Sequence, residues 1–300
     1  MSLSPIYRGR FAPSPTGPLH FGSLYAAFGS WLLARNAGGE WWIRIEDLDP
    51  PREIEGMADR QLQTLLAFGL ESDAPVVRQS ERGSQYRAAL DRLLTDGLAF
   101  TCTCSRSDLA ATGGIHRACV AAVPADAGDG RQPAIRLRVP DGSTVAFVDG
   151  LQGEVTQDVA AEVGDFVLHR ADGYWAYQLA VVVDDALQGM TDIVRGHDLL
   201  DSTPRQILLQ RALGLPTPRY LHLPLVTDAD GRKLSKSSAD LPVDPDDPLP
   251  ALRVAWRMLG QDPDALSQTG NVTALLRAGT EAFDPQKLPR AATVSLQRTT

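Results

Sequence analysis

The sequence predicts an α/β fold organised around a parallel sheet. Two short strands near the N-terminus, residues 6–11 and 40–46, alternate with amphipathic helices that end near Arg35 and Phe68. Strand and helix in alternation are typical of a parallel sheet covered by helices. A continuously apolar and β-branched run at 177–185 indicates a strand covered on both faces, so the same sheet is expected to resume there.

Length and composition limit the possible functions. With 300 residues, 43% hydrophobic and 22% charged, the chain is an ordinary globular protein large enough for two or three packed units. The net charge of −8 argues against a uniformly basic surface that coats nucleic acid, but it permits one local positive groove. The first ten residues lack the apolar core of a signal peptide, and no window approaches a membrane span. We therefore expect a cytoplasmic protein with no membrane partner.

The first elements follow one another closely. A turn rich in proline and glycine at 12–18 precedes a helix at about 19–35, and a further amphipathic helix is predicted at 79–98. After a cysteine-containing loop come two segments of alternating hydrophobicity, 134–139 and 144–149, which indicate antiparallel strands. This middle part is predicted to be an α+β subdomain inserted into the sheet core.

The later elements complete the core and add a tail. A helix at 203–213 and a strand at 220–227 are predicted to rejoin the sheet. Prolines then break the chain into a short helical appendix, and the final dozen residues, 289–300, show no packing pattern. The expected parts are the first half of the sheet core at 1–80, the inserted subdomain at 81–173, the second half of the core at 174–245 and the appendix at 246–300.

Two segments far apart in the chain carry the strongest functional signal, APSPTGPLHFGS at 12–23 and GRKLSKS at 231–237. The first is a turn before a helix, where free amides and the positive end of the helix dipole attract phosphate oxygens. The second holds two of the three lysines of the chain, Lys233 and Lys236, and lysine supplies a mobile charge to transferring phosphates. Either segment alone could be structural, but the conjunction predicts a nucleotide site.

These motifs resemble those of a known family. HFGS and KLSKS resemble the HIGH and KMSKS signatures of class I aminoacyl-tRNA synthetases, and RFAPSPTGPLHFGSL resembles the glutamyl-tRNA synthetase form. The similarity continues through IRIEDLD, QSER, VVDD and VRGHDLLDSTPRQ, and covers nearly the whole chain up to about Ser238. The first histidine of HIGH is His20, whereas Ser23 replaces the second. The resemblance implies a Rossmann-type parallel sheet with an inserted α+β subdomain and a short C-terminal helical appendix.

The resemblance also implies ATP-dependent activation of an amino acid, with Mg²⁺ accompanying the ATP. The α-carboxylate displaces pyrophosphate from the α-phosphate, which requires positioning and charge neutralisation. His20 and Lys236 are implied as catalytic residues, although His20 alone could be a satisfied histidine at a helix start. The residues implied to bind ATP are Pro13, Gly17, His20, Gly22, Ser23, Lys233, Ser235 and Lys236.

The implied amino acid is L-glutamate, which carries two carboxylates and one ammonium. Arg10, Arg195 and Glu46 supply the complementary charges at or near predicted strand ends, where α/β sheets bind ligands. Arg10 is implied at the side-chain carboxylate and Arg195 at the other, although the sequence leaves this assignment open. Glu46 is implied at the ammonium, with Ser14 and Tyr177 as further polar contacts. Any of these charged residues could instead form a surface ion pair.

The expected acceptor depends on the end of the chain. Glutamyl-tRNA synthetases continue after the KMSKS loop with a long helical anticodon-binding region, and we expect no such region after Ser238. A truncated core resembles the glutamyl-queuosine tRNA(Asp) synthetases, which activate glutamate without tRNA and attach it to queuosine at the wobble position. The implied partner is the queuosine-bearing anticodon stem-loop of tRNA(Asp), and the enzyme is expected to be a monomer. The alternatives are a minimal glutamyl-tRNA ligase that charges the 3′ terminal ribose and a catalytically silent RNA-binding paralogue.

Three cysteines and a histidine form a candidate metal site. Cys102, Cys104, His116 and Cys119 offer enough ligands for a closed tetrahedral Zn²⁺ site. The family pattern is Cys-x-Cys followed by Tyr-x3-Cys, and Ile115, which cannot ligate, occupies the tyrosine position. His116 is the candidate replacement in a site for one structural zinc ion. Free thiols are the alternative, because Cys-x-Cys is tighter than common zinc spacings.

Overall fold

The structure is a computed structural model that describes residues 6–105, 107–120, 133–228 and 243–296. The strands in these ranges are β1 Arg8–Phe11, β2 Glu40–Ile45, β3 Val77–Arg78, β4 Ala99–Cys102, β5 Ala134–Leu137, β6 Thr144–Asp149, β7 Gly153–Asp158, β8 Val167–His169, β9 Asp192–Gly196, β10 Arg219–Leu223, β11 Leu225–Thr227 and β12 Thr293–Ser295. The α-helices are α1 Phe21–Asn36, α2 Met57–Ala67, α3 Gly83–Thr95, α4 Val159–Glu162, α5 Tyr177–Leu187, α6 Thr203–Leu213, α7 Pro248–Met258 and α8 Val272–Ala282.

Two sheets meet edge to edge. The first is parallel throughout, in the order β1-β2-β3, and the second has the order β7-β6-β10-β9, in which β9 and β10 are parallel. β1 lies beside β9, where the Thr191 amide donates to the Arg8 carbonyl at 3.0 Å. Across this seam the strands run in the order β3-β2-β1-β9-β10, which is a doubly wound arrangement. The predicted α/β fold class is confirmed.

The middle of the chain contributes antiparallel strands. β4, β5 and β8 form a separate antiparallel sheet. β6 and β7 form a hairpin in which Asp149 pairs in parallel register with Tyr220 of β10. The antiparallel strands predicted at 134–139 and 144–149 are therefore confirmed, and one of them also extends the central sheet. The division of the chain after residues 80, 173 and 245 stays a prediction.

Residues 177–185 lie in helix α5, so the strand predicted there is wrong. A short apolar run is compatible with a buried strand or a buried helix, and the preference of valine for strands yields to packing. In the structure every residue from Leu179 to Asp185 is buried, because α5 packs against α3, α6 and β8. The last turn of the helix carries two buried carboxylates, Asp184 and Asp185.

The strand predicted at 220–227 is interrupted at Pro224, because proline has no amide hydrogen for the ladder. β10 stays in the central sheet, whereas β11 pairs in parallel with β12, and the Leu296 amide donates to the Thr227 carbonyl at 2.8 Å. The expectation that 289–300 has no packing pattern is therefore wrong. A strand as short as β12 is held by its partner's backbone and leaves little pattern in the sequence.

Helix α1 lies at the centre of the largest hydrophobic cluster. Ten of its 16 residues are buried, because it packs against β1 and β9 and also against α7 and α8. Gly29 allows a close approach to the sheet, since a Cβ there would lie 2.8 Å from Cδ1 of Leu223. Among the described helices, α1 included, none has the length and apolarity that a membrane crossing requires.

Candidate active site and metal centre

A cleft of about 1000 Å³ opens at the carboxyl ends of β1, β2, β9 and β10. Open α/β sheets bind ligands at this edge. The cleft is lined by every predicted ATP- and glutamate-binding residue that the structure describes: Arg10, Pro13, Ser14, Gly17, His20, Gly22, Ser23, Glu46, Tyr177 and Arg195. The structure therefore brings together side chains from the first and second halves of the chain. Lys233, Ser235 and Lys236 lie outside the described residues.

His20 caps the start of α1 at the cleft. Its Nδ1 accepts a hydrogen bond from the Ser23 amide at 3.2 Å, and its Nε2 lies 3.2 Å from the Ser23 hydroxyl. The serine that replaces the second histidine of the HIGH signature thus contacts the first. Gly22 leaves room for the ring, because a Cβ there would lie 3.1 Å from His20 Cε1. An imidazole at a helix start is suited to binding an anion.

The turn that leads to His20 is braced by two other segments. The Gln61 side chain of α2 donates to the Ser14 and Gly17 carbonyls at 3.0 and 2.7 Å. The Glu46 amide donates to the Pro13 carbonyl at 2.9 Å. Because these carbonyls are engaged, the turn is fixed against α2 and the end of β2.

Arg10 belongs to a buried ion network beside the cleft, which consists of Arg10, Arg44, Glu46, Asp184 and Asp185. The Arg10 guanidinium makes two hydrogen bonds to Asp185, at 2.9 and 3.1 Å, and the residue is 3% exposed. Arg44 is fully buried and donates to Asp185 at 2.7 Å and to Glu46 at 3.3 Å. Asp184 accepts hydrogen bonds from Gln79, Arg82 and Tyr86. The network ties β1 and β2 to the end of α5.

Two carboxylates of the network, Asp185 and Glu46, have pKa values shifted in opposite directions. Burial favours a higher pKa for Asp185, but the charges of Arg10 and Arg44 outweigh it and hold that pKa below its usual value. Burial raises the pKa of Glu46, and the same two arginines offset only part of this shift. The protein therefore neutralises the negative charge of Glu46 less fully than that of Asp185, and Glu46 is suited to an ammonium ligand.

Arg195 reaches the cleft from β9 and is held by uncharged groups. It donates to the Tyr177 hydroxyl at 3.3 Å, to Thr203 Oγ1 at 2.8 Å and to His222 Nε2 at 3.0 Å. Only 6% of the residue is exposed. Burial raises the pKa of Tyr177, so its hydroxyl keeps a proton that it can donate to a ligand.

Asp185, Arg44 and His222 are site residues for which the sequence predicts no role. Asp185 lies in the VVDD segment and Arg44 in the IRIEDLD segment. Acidic residues at the end of an apolar run, as in VVDD, were a signal for buried ion pairs. His222 interrupts an apolar strand without an obvious partner nearby. Its partners, Asp149 and Arg195, come from other strands, so the sequence carries no local signal for them.

The predicted metal ligands converge near the end of β4, and we call Cys102, Cys104, His116 and Cys119 the cysteine–histidine cluster. Their four donor atoms lie within 4.8 Å of one another. Cys102 Sγ is 3.3 Å from His116 Nε2 and 3.9 Å from Cys119 Sγ. Donor atoms around a tetrahedral zinc ion are roughly 3.3–3.8 Å apart, so the two distances from Cys102 are close to those of a zinc site and the set of donors suits zinc. Ile115 offers no donor atom, whereas His116 contributes its Nε2 to the cluster.

A carboxylate outside the cluster orients its histidine. His116 Nδ1 lies 2.9 Å from Asp165 Oδ2, and Asp165 Oδ1 accepts from the Val139 amide at 2.8 Å. An imidazole that donates from Nδ1 keeps Nε2 free to bind a metal. Arg136 connects the cluster to the cleft, because it lines the cleft and donates to the carbonyls of Cys104 and Asp165.

The fold and the cleft are those of a class I aminoacyl-tRNA synthetase catalytic domain. Residues 7–260 match the family described as tRNA synthetases class I (E and Q), catalytic domain. The crystal structure of a glutamate tRNA ligase from Elizabethkingia meningosepticum, in complex with its amino acid, is similar with a TM-score of 0.80 and 25% sequence identity. The similarity covers 97% of this chain and 67% of that chain.

Relatives of known name are much closer in sequence. A Glutamyl-Q tRNA(Asp) synthetase from Xanthomonas oryzae pv. oryzae is 67% identical over 287 residues, which are 96% of this chain and 94% of the relative. A Glutamyl-Q tRNA(Asp) synthetase from Ectopseudomonas mendocina is 51% identical over 294 residues, which are 98% of each chain. The chain belongs to the class I tRNA synthetase family, in its glutamyl-Q tRNA(Asp) synthetase branch. The resemblance seen in the sequence motifs is thereby confirmed.

Proposed function

We propose that the protein activates L-glutamate with ATP in the absence of tRNA and transfers the glutamyl group to queuosine at the wobble position of tRNA(Asp). The observation that carries the proposal is the arrangement of charges at the strand ends that border the cleft, where Arg10, Arg195 and Glu46 supply two cations and one anion. Glutamate presents the complementary two carboxylates and one ammonium. The names of the relatives, which specify glutamyl-Q and tRNA(Asp), support the acceptor.

In the activation step the α-carboxylate of glutamate attacks the α-phosphorus of ATP, and pyrophosphate leaves. His20 binds the phosphates at the start of α1, and Lys236 neutralises charge that develops on the leaving pyrophosphate. Mg²⁺ accompanies ATP and shares in this neutralisation. The residues proposed to contact ATP are Pro13, Gly17, His20, Gly22, Ser23, Lys233, Ser235 and Lys236.

Glutamate is proposed to bind Arg10, Ser14, Glu46, Tyr177 and Arg195. Glu46 accepts from the ammonium, the two arginines bind the carboxylates, and the two hydroxyls add hydrogen bonds. The charged groups come from the ends of β1, β2 and β9 and are held by the contacts described above. The cleft therefore needs little rearrangement to receive this substrate.

In the transfer step a hydroxyl of the queuosine cyclopentenediol attacks the activated carbonyl, an ester forms and AMP leaves. The anticodon stem-loop is proposed to enter beside the middle part of the chain, where Arg136 and Arg170 line the cleft. Arg170 is half-exposed and pairs with the exposed Asp172, and a phosphate of the loop can replace that carboxylate.

We assign one structural zinc ion to the cysteine–histidine cluster. Three thiolates and one imidazole close a tetrahedral coordination sphere, so no position is left for substrate. Cys104 lines the cleft, and Arg136 donates to its carbonyl. The ion would accordingly stabilise part of the cleft wall rather than take part in the reaction.

Radiolabelled glutamate tests the acceptor. Label should enter tRNA(Asp) only when the tRNA carries queuosine, and nuclease digestion should place it on the anticodon fragment. Equal labelling of unmodified tRNA contradicts the proposal. Label on the 3′ terminal adenosine would instead identify a minimal glutamyl-tRNA ligase.

Pyrophosphate exchange without tRNA tests the activation step. The wild-type protein should exchange with glutamate and ATP alone, and Lys236→Ala should slow exchange about 100-fold with little change in glutamate affinity. A requirement for tRNA favours the minimal ligase, and no exchange under any condition favours the silent RNA-binding paralogue. We also propose that the protein is a cytoplasmic monomer. The mass of a dimer in sedimentation equilibrium would contradict the monomeric state.

A further inference from the structure

Arg10 and Arg195 are held at the cleft in opposite ways. Arg10 is paired through two hydrogen bonds with the carboxylate of Asp185. Over the ranges that the structure describes, Arg195 makes no ion pair with a carboxylate. Its acceptors are His222 Nε2, Thr203 Oγ1, the Tyr177 hydroxyl and the Leu199 carbonyl. The guanidinium of Arg195 is therefore oriented by the protein without being neutralised by a direct partner.

The tautomer of His222 follows from its contacts with Arg195 and Asp149. A guanidinium only donates, so His222 Nε2, 3.0 Å from Arg195 Nε, accepts and carries no proton. The proton is on Nδ1, which donates to Asp149 Oδ2 at 2.6 Å. His222 and Asp149 are 0% and 2% exposed, and burial lowers the pKa of His222. The imidazole between Asp149 and Arg195 is consequently neutral.

We propose that Asp149 and His222 are positioning residues that hold Arg195 in place for a carboxylate of the amino-acid substrate. This inference rests on the proposed function, in which Arg195 binds glutamate. A carboxylate placed directly on Arg195, as Asp185 is on Arg10, would orient it as well, but it would neutralise part of the charge that attracts the substrate. The neutral imidazole orients Arg195 and keeps the charge of Asp149 one ring further away, where its attraction is weaker. Most of the charge of Arg195 is left for the substrate.

Asp149→Asn tests this arrangement because it reverses the tautomer with little change in shape. Asp149 Oδ1 accepts from the amides of Leu151, Gln152 and His222, at 3.0, 2.9 and 3.2 Å. An asparagine carbonyl must stay with these three donors, so its amide group faces His222 Nδ1. The imidazole proton then moves to Nε2, where it opposes the Nε–H of Arg195.

Glutamate-dependent pyrophosphate exchange without tRNA measures the effect. In Asp149→Asn the KM for glutamate should rise roughly tenfold or more, as expected for the loss of one hydrogen bond to a charged group. The KM for ATP should change by less than about twofold, because ATP binding does not depend on Arg195. Heteronuclear NMR of the imidazole nitrogens should show the Nε2–H tautomer of His222 in the folded variant.

His222→Gln and His222→Asn form a matched pair that decides the matter even if Asp149→Asn folds poorly. The glutamine oxygen reaches the position of Nε2 and can accept from Arg195. The asparagine side chain reaches only the position of Nδ1 and can pair only with Asp149. The KM for glutamate should stay near the wild-type value in His222→Gln and rise in His222→Asn.

Three results would overturn the proposal: an unchanged glutamate KM in Asp149→Asn, a parallel rise in the KM values for glutamate and ATP, or equal glutamate KM values in the two His222 variants. Failure of the proposed function is recognised separately. In that case the wild-type protein itself shows no glutamate-dependent exchange.

Discussion

Two polar assemblies, buried except for Cys119, border the same cleft, and they are satisfied in different ways. In the ion network, arginines and carboxylates of the chain neutralise one another, with Asp185 between Arg10 and Arg44. In the cysteine–histidine cluster, three thiols and an imidazole converge, and all four are groups that bind a metal. The first assembly is held together by groups of the chain alone, whereas the second would be completed by the proposed zinc ion. The two assemblies should therefore respond to different perturbations.

Breaking the ion network should have the largest effect. Asp185→Ala leaves Arg10 and Arg44 buried without their shared carboxylate, so the free energy of unfolding should fall by roughly 3–5 kcal/mol in urea titrations. The matched control is Asp59→Ala, which removes a mostly exposed partner of Arg78 and should cost less than about 1 kcal/mol. Equal losses in the two variants would mean that the network contributes no more than a surface ion pair.

Loss of the metal should have the next largest effect. An ion present at a thousandfold excess over its dissociation constant stabilises the folded state by about 4 kcal/mol. His116→Ala should lose both this stabilisation and the zinc that elemental analysis measures. Ile115→Ala, at the position of the family tyrosine, should retain one zinc ion per chain. Zinc retained in the first variant and lost in the second would reverse the assignment of the ligand.

Asp165→Asn should weaken the metal site without removing a ligand. The asparagine oxygen should stay with the Val139 amide, so the side-chain amide should face His116 Nδ1. The imidazole then carries its proton on Nε2, the metal-binding atom, and zinc affinity should fall by about 10–100-fold. Competition with a chromophoric chelator measures the affinity, and an unchanged value would show that Asp165 does not set the tautomer.

The pH dependence of glutamate activation should show the smallest effect. Because burial raises the pKa of Glu46, this carboxyl takes up a proton as the pH falls while an ordinary glutamate is still ionised. The kcat/KM for glutamate in pyrophosphate exchange should then decline with a midpoint above the usual value of 4.5. Glu46→Gln should be less active and should lack this transition. A wild-type profile that stays flat to pH 4.5 would contradict the role of Glu46.

The positions of the site residues were more predictable than some elements of the fold. Arg10, Glu46 and Arg195 were expected at strand ends, and the structure places all three on one cleft. The charges of a ligand restrict which side chains can bind it at a strand end. The type of a residue and its position in the chain therefore together indicate a binding role. The partners that hold these side chains, such as Asp185, are not restricted in this way by the ligand.

The sequence by itself determined the α/β class through periodicity and the possible donors of the cysteine–histidine cluster through their spacing. Motifs that resemble those of a known family indicated several residues of the cleft. Only the tertiary structure decided that 177–185 is helical, that β12 pairs with β11 and that His222 joins Asp149 to Arg195. Asp149 and His222 are 73 residues apart in the chain. Such choices depend on which distant groups pack together, and packing outweighs the local preferences that a sequence displays.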